Sequence, residues 1–248
     1  MSSELKIGTY PFIVEDFHSD FTGKLSMTTL GNHLLNCSNL HARERGLGIG
    51  EYNGQTYTWV ISRLVVDFAE PIRKNEVFLL KTWVNKIYNS FLDREYELIN
   101  NQGHTTGRAH SVWAMIDTAK RESVNLAEFH GSKLTDCVYD LANPMDTRQG
   151  RVRIKSIVPC FEHKVMYSDL DINGHVNSIK YIEHALNMVP LEMFDHHELK
   201  RLEIAYAAES SYGDRLLFYK EEIGTQAFYI EIRKEAGEVV CRCKFAFE

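Results

Sequence analysis

The chain has 248 residues, 44% hydrophobic and 25% charged, with 15 Gly and 5 Pro, an ordinary globular composition that excludes disordered, collagen-like and low-complexity chains. Its 28 Lys and Arg against 34 Asp and Glu leave a formal charge of −6, so no overall cationic field draws in nucleic acid or anionic lipid. No stretch approaches the roughly 20 apolar residues of a membrane-spanning helix. The start Met1-Ser2-Ser3-Glu4-Leu5-Lys6 lacks the apolar core of a signal peptide, and a cytoplasmic protein is expected. Cys37, Cys137, Cys160, Cys241 and Cys243 contain no CxxC pair, which suggests neither a disulfide framework nor a zinc cluster.

Along the chain, Leu30, Leu34, Leu35, Cys37 and Leu40 fall near helical spacing and Gly46 and Gly48 end the run, predicting a helix over 29–45. β-Branched and aromatic residues at period two follow. Tyr57 to Phe68 sets Trp59, Ile61, Arg63 and Val65 on one face and the more apolar Val60, Ser62, Leu64 and Val66 on the other. Strands over 77–84, 91–99 and 108–117 continue the pattern, joined at Glu70-Pro71, Asn89-Ser90 and Asn100-Asn101-Gln102-Gly103. Joins this short predict an antiparallel meander. A second unit begins near Val158 with a short strand to Met166. A helix then carries Val176, Ile179, Ile182, Leu186 and Val189 and stops before Pro190. Strand-like runs close the chain at 199–205, 216–220, 228–232 and 239–247.

Both units read strand, helix, strands, and Asn32-His33-Leu34-Leu35 opens the first helix much as Gly174-His175-Val176 opens the second. This degenerate repeat predicts an α+β double (tandem) hotdog: two antiparallel sheets, each wrapping a central helix, paired as a pseudo-dimer. The expected division is a first hotdog over 1–125, a linker over 126–157 and a second hotdog over 158–248. The linker holds Asn143-Pro144 and the basic Arg148, Arg151, Arg153 and Lys155.

The segment most able to do chemistry packs Asp171, Asn173 and His175 at i, i+2 and i+4. Gly174 permits a tight turn, and backbone N–H groups near Gly174 and His175 offer partial positive charge to an oxyanion. Singly, these residues have ordinary readings: a cap, an Asn-Gly turn, a histidine without chemistry. Their joint occurrence, absent from Thr29-Leu30-Gly31-Asn32-His33 as the matching stretch of the first unit, points to one specialised half.

The run from Ser168 to Glu183, with Asp171-Ile172-Asn173-Gly174-His175-Val176-Asn177 at its centre, strongly resembles the catalytic segment of the acyl-acyl-carrier-protein thioesterases, plant chain-terminating enzymes and their bacterial relatives. Trp59-Val60-Ile61-Ser62-Arg63, Thr82-Trp83, Phe91-Leu92-Asp93-Arg94 and Ser111-Val112-Trp113 resemble that family's first-half landmarks, and Arg121 sits where it has a basic residue, so the resemblance covers nearly the whole chain. It implies a tandem hotdog hydrolase that frees fatty acids from the carrier's phosphopantetheine arm. Asp171, Asn173 and His175 match the family's Asp-x-Asn-x-His, and Glu209 matches the Glu of a later Glu-Cys pair whose second position here is Ser210. With that cysteine missing, the expected mechanism is direct hydrolysis. Glu209, helped by His175, deprotonates a water; Asn173 holds the water or the imidazole; Asp171 orients Asn173 and the turn, or is itself the base. Ser210 is the alternative nucleophile.

The resemblance also implies that the first half lines the acyl tunnel, with Leu34, Leu35, Trp59, Trp83 and Trp113 as candidates by position. The partner is acyl-carrier protein, itself acidic, so docking needs a local basic area from Lys120 and Arg121 or from Arg148, Arg151, Arg153 and Lys155. A homodimer is a candidate assembly. Rival readings are an acyl-coenzyme A thioesterase, a hotdog hydratase and a non-catalytic acyl-thioester sensor. The 11 His include no HExxH and no GxGxxG follows a strand, so neither a metal nor another cofactor is expected.

Overall fold

The computed structural model describes residues 6–48, 50–52, 55–126, 132–141, 144–150 and 154–248. The first half runs β1 (Gly8–Ile13), a 3-10 turn (Asp16–His18), α1 (Met27–Glu44), β2 (Gly50–Tyr52), β3 (Gln55–Phe68), β4 (Val77–Ile87), β5 (Phe91–Asn100), β6 (Thr105–Asp117) and β7 (Glu122–Ser123). A short α2 (Ser132–Asp136) precedes the second half. That half runs β8 (Phe161–Lys164), a 3-10 turn (Tyr167–Asp169), α3 (Ser178–Leu186), α4 (Leu191–His196), β9 (Leu199–Tyr206), β10 (Arg215–Ile223), β11 (Ala227–Lys234) and β12 (Val239–Phe247).

α1 starts where the Ser26 hydroxyl accepts the Thr29 N–H at 3.2 Å, and it buries Leu30, Leu34, Cys37 and His41. α3 is shorter than its periodicity predicts. The Asn177 side chain accepts the Ile179 N–H at 2.8 Å and caps the helix, so Val176 precedes it and Val189 follows it, both buried. Pro190 does not simply end the helix but caps the N-terminus of α4.

Each half is the expected hotdog, an antiparallel sheet curved around one helix, yet the sheets are not separate. Among the described residues all strands form one sheet in the order β1-β4-β5-β6-β3-β9-β12-β11-β10-β8, with β2 on β3 and β7 on β6. The seam is antiparallel pairing of β3 with β9, from Arg63 opposite Ala205 to Asp67 opposite Arg201. α1 and α3 meet beneath it so closely that a Cβ on Gly31 would lie 2.7 Å from Ile179 Cδ1. β3 departs from simple alternation. A bulge between Ile61 and Arg63 resets the register, and Leu64, Val65 and Val66 are then all buried. The linker lies on the seam here: the Gln149 side-chain amide donates to the carbonyls of Leu64 at 3.1 Å and Ile204 at 3.0 Å. Arg201 adds donors to the carbonyls of Asp146 and Arg148 and two to the Asp67 carboxylate, at 2.7 and 2.9 Å.

Candidate active site

The turn before α3 is organised by Asp171. Its Oδ1 accepts the N–H of Asn173 at 2.8 Å and of His175 at 3.3 Å, its own N–H donates to the His175 carbonyl at 2.8 Å, and its carbonyl takes the Gly174 N–H at 3.1 Å. Gly174 closes the turn at φ +78°, a conformation that a side chain would strain. The carboxylate therefore shapes the turn from within. This corrects one expectation: the N–H groups of Gly174 and His175 are spent on Asp171 and are not a preformed oxyanion hole. They also lie upstream of α3, which begins at Ser178.

The same turn exists in the first half, but not at 29–33. Asp20 Oδ1 accepts the N–H of Thr22 at 2.8 Å and of Lys24 at 3.2 Å, the Asp20 N–H donates to the Lys24 carbonyl at 2.8 Å, and Gly23 has φ +75°. Asp20-Phe21-Thr22-Gly23-Lys24-Leu25-Ser26 thus corresponds to Asp171-Ile172-Asn173-Gly174-His175-Val176-Asn177, each pair 151 residues apart. That offset was readable in the sequence and corrects the alignment of the repeat. Ser211 bridges His175 as Arg73 bridges Lys24, which makes Pro71 the first-half counterpart of Glu209. The first half keeps the aspartate and lacks the amide, imidazole and carboxylate. Its cleft beside Lys24 is only about 60 Å³ and is crossed by a Lys24–Glu198 ion pair at 2.9 Å.

In the second half the turn faces a cavity of about 780 Å³. Glu209, on the segment after β9, comes within 3.5 Å of His175 Nε2, and Asn173 and Asp171 line the same mouth. Arg121 also reaches it and forms an ion pair with Glu209. Its backbone is in the left-handed region at φ +60°, held because Asp117 Oδ1 accepts the N–H groups of Ala119 and Lys120 and the Asp117 carbonyl accepts that of Arg121. Strain of this kind collects at functional sites. Sequence reading placed Arg121 on a docking surface; the fold brings it to the Glu209 carboxylate, with no motif linking positions so far apart.

The cavity is lined by Leu35, Trp59 and Trp113 and by Ile61, Leu92 and Tyr206. The Trp59 indole N–H donates to the Leu47 carbonyl at 2.9 Å and that of Trp113 to Ser111 at 2.6 Å, which fixes both rings. Leu34 and Trp83 are corrections, being buried in the core and not part of the lining. Leu34 sits one residue off the open side of α1, and Trp83 packs edge-on to Tyr139 at 6.5 Å. Ser210 is likewise 1% exposed and off the cavity, with its carbonyl accepting the Val176 N–H at 2.8 Å. Of the proposed docking residues, Lys120 is exposed next to Arg121, and Arg148, paired with Asp146 at 2.9 Å beside the seam, is exposed as well. Arg151 and Arg153 lie outside the described residues.

Fold and cavity together define a tandem hotdog protein with one elaborated site and one closed counterpart. Family models for the acyl-ACP thioesterase N-terminal and C-terminal domains match residues 9–129 and 159–248. A crystal structure of an acyl-ACP thioesterase from Bacteroides thetaiotaomicron superposes with a TM-score of 0.93 at 44% identity, covering 100% of both chains. The chain belongs to the acyl-ACP thioesterase family. A 12:0-ACP thioesterase from Umbellularia californica shares the fold, with a TM-score of 0.88 at 17% identity over 98% of this chain and 97% of that one. A chloroplastic palmitoyl-acyl carrier protein thioesterase from Gossypium hirsutum is 29% identical over 197 residues, 74% of this chain and 47% of its own length. The chain spans about half the length of the first curated relatives it matches.

Proposed function

We propose that this protein hydrolyses acyl-acyl-carrier-protein thioesters, releasing free fatty acid and the carrier thiol. The observation that carries this is the meeting of Glu209 and His175 at 3.5 Å on the mouth of a deep, largely apolar cavity, in a chain of this family. The acyl chain lies in the cavity between the halves, and the pantetheine arm enters past Ile172, which is wholly exposed at the tip of the catalytic turn. Glu209, oriented by Arg121 and His175, takes a proton from a water that attacks the thioester carbonyl. Asn173 lines the mouth, its amide held by Asp171 through one long contact of 3.4 Å, and it donates to the developing oxyanion. A donor in that role is worth about 2.7–4 kcal/mol. Asp171 orients this pair by shaping the turn, and Ser210 is a packing residue.

The cavity and all these side chains come from one chain, so the reaction is complete without a second copy. Among the described residues no helix is long and apolar enough to cross a membrane. Lys120, exposed beside the mouth, is the docking residue best placed to meet an acidic carrier.

The test is thiol release from matched acyl-carrier-protein and acyl-coenzyme A substrates by wild type, Glu209→Gln and Ser210→Ala. The expected result is faster turnover of the carrier series, a fall of about 100- to 10,000-fold in kcat for Glu209→Gln, and near-wild-type turnover for Ser210→Ala. Preference for coenzyme A would reassign the carrier. Loss of activity in Ser210→Ala with Glu209→Gln still active would restore a covalent route.

A further inference from the structure

The offset of 151 residues extends beyond the catalytic turn: Phe12, His18 and His33 correspond to His163, Asp169 and His184. In the first half these positions form a ring cluster. Phe12 and His33 stack at 4.0 Å, His18 stands edge-on to His33 at 5.6 Å, and Phe78 lies 6.3 Å from His33. In the second half Leu216 pairs with His163 as Phe78 pairs with Phe12, Phe218 lies two residues along the same strand at 6.4 Å from His184, and the cluster has changed chemistry. The Asp169 carboxylate, buried at 3% exposure, is met by His163 Nε2 at 2.8 Å on one oxygen and His184 Nε2 at 2.9 Å on the other, with the two rings 4.1 Å apart. A phenyl ring satisfies the first position in one half, so packing alone does not demand the donor set of the other.

We propose that His163, Asp169 and His184 form a binding site for a divalent transition-metal ion of the zinc type. The three ligand atoms lie within 4.8 Å of one another. Two imidazoles and one carboxylate suit zinc and its neighbours, which take nitrogen ligands, and not magnesium or calcium, which want oxygen. The side chains of His163 and His184 are 20% and 12% exposed, so a water can complete the coordination. The Met166 N–H donates to Asp169 Oδ2 at 2.8 Å, an outer bond of the kind that orients a ligating carboxylate. Without metal, both rings donate their Nε2–H to Asp169. On binding, each presents the Nε2 lone pair and carries its proton on Nδ1. The ion braces the catalytic turn and does not touch the thioester: it ties β8 to α3 across Asp169, whose carbonyl accepts the Asn177 N–H at 2.8 Å.

The test is titration of tag-free, chelator-stripped protein with Co²⁺, read by visible ligand-field absorption, and with Zn²⁺, read by calorimetry and thermal melting. His163→Phe copies the arrangement of Phe12 and keeps the stack, and His184→Gln provides a second route should that variant not fold. Wild type is expected to bind one ion and melt higher with it, and either substitution to weaken binding by at least about 10- to 100-fold. Absence of Co²⁺ or Zn²⁺ binding in wild type, or equal binding in wild type and the folded variants, overturns the proposal and leaves a hydrogen-bonded His-Asp-His cluster.

Discussion

At His41 a buried imidazole is held between two polar groups that allow it only one charge state. Nδ1 lies 3.1 Å from the buried Arg94 guanidinium and accepts from it, and Nε2 donates to the Lys6 carbonyl at 3.0 Å. Burial first, then repulsion from Arg94 and Arg45, push the His41 pKa down to about 3; burial, aided by His18, pushes that of His33 to about 4. Both pKa values are depressed in the folded state. The unfolded chain therefore takes up these protons near pH 6.5, and stability present above that pH is lost as pH falls toward 3 to 4. Each such group contributes a slope of up to about 1.4 kcal/mol per pH unit in that window. Denaturant unfolding at pH 7, 5.5 and 4.5 should show the decline, and His41→Gln, which keeps a side-chain acceptor and donor, should flatten it. Asn173→Ala belongs to the same scale. On the proposed mechanism it removes the oxyanion donor and should lower kcat by about 100- to 1,000-fold with little change in KM; steady-state kinetics on one acyl-carrier substrate would show whether KM moves instead.

Among elements, the contact between α1 and α3 decides how the halves sit together. Gly31 is there for close approach: a Cβ would lie 2.7 Å from Ile179 Cδ1 and 3.3 Å from its Cγ1 and Cγ2. Gly31→Val should destabilise the fold by about 1–3 kcal/mol through overpacking. Ile179→Ala in the same chain should recover part of that loss, a coupling that a double-mutant cycle measures directly. The periodicities of both helices were legible in the sequence, as was the meander of long strands. The ends were less so. Asn177 and Ser26 both compete for backbone N–H groups, and a capping side chain overrides the apolar pattern that would extend α3 to Val176. The bulge after Ile61 was invisible because one extra residue in a strand changes no composition, only the partner register.

For the whole molecule, the seam makes one body of two hotdogs. Arg201 is its clasp, bound to Asp67 on β3, to Glu203 at 2.7 Å on its own strand and to the linker carbonyls of Asp146 and Arg148. Arg201→Ala leaves the nearly buried Glu203 with only the Lys244 ammonium, at 3.7 Å, and should cost about 1–3 kcal/mol. Calorimetry would register this as a melting temperature several degrees lower. An unchanged melting temperature would mean that strand pairing alone holds the seam.

The sequence by itself determined the repeat, the apolar helices, the strands and the run Asp171-Ile172-Asn173-Gly174-His175, because each is written in local spacing and in residues whose backbone preferences act over a few positions. Only the tertiary structure decided that Glu209 meets His175, that Arg121 reaches Glu209 across 88 residues of chain, and that Leu35 faces the cavity while Leu34 faces the core. Those outcomes depend on the β3–β9 pairing and the twist of one continuous sheet. Long-range register of that kind is fixed by the sum of many packed contacts, and no short stretch of sequence carries it.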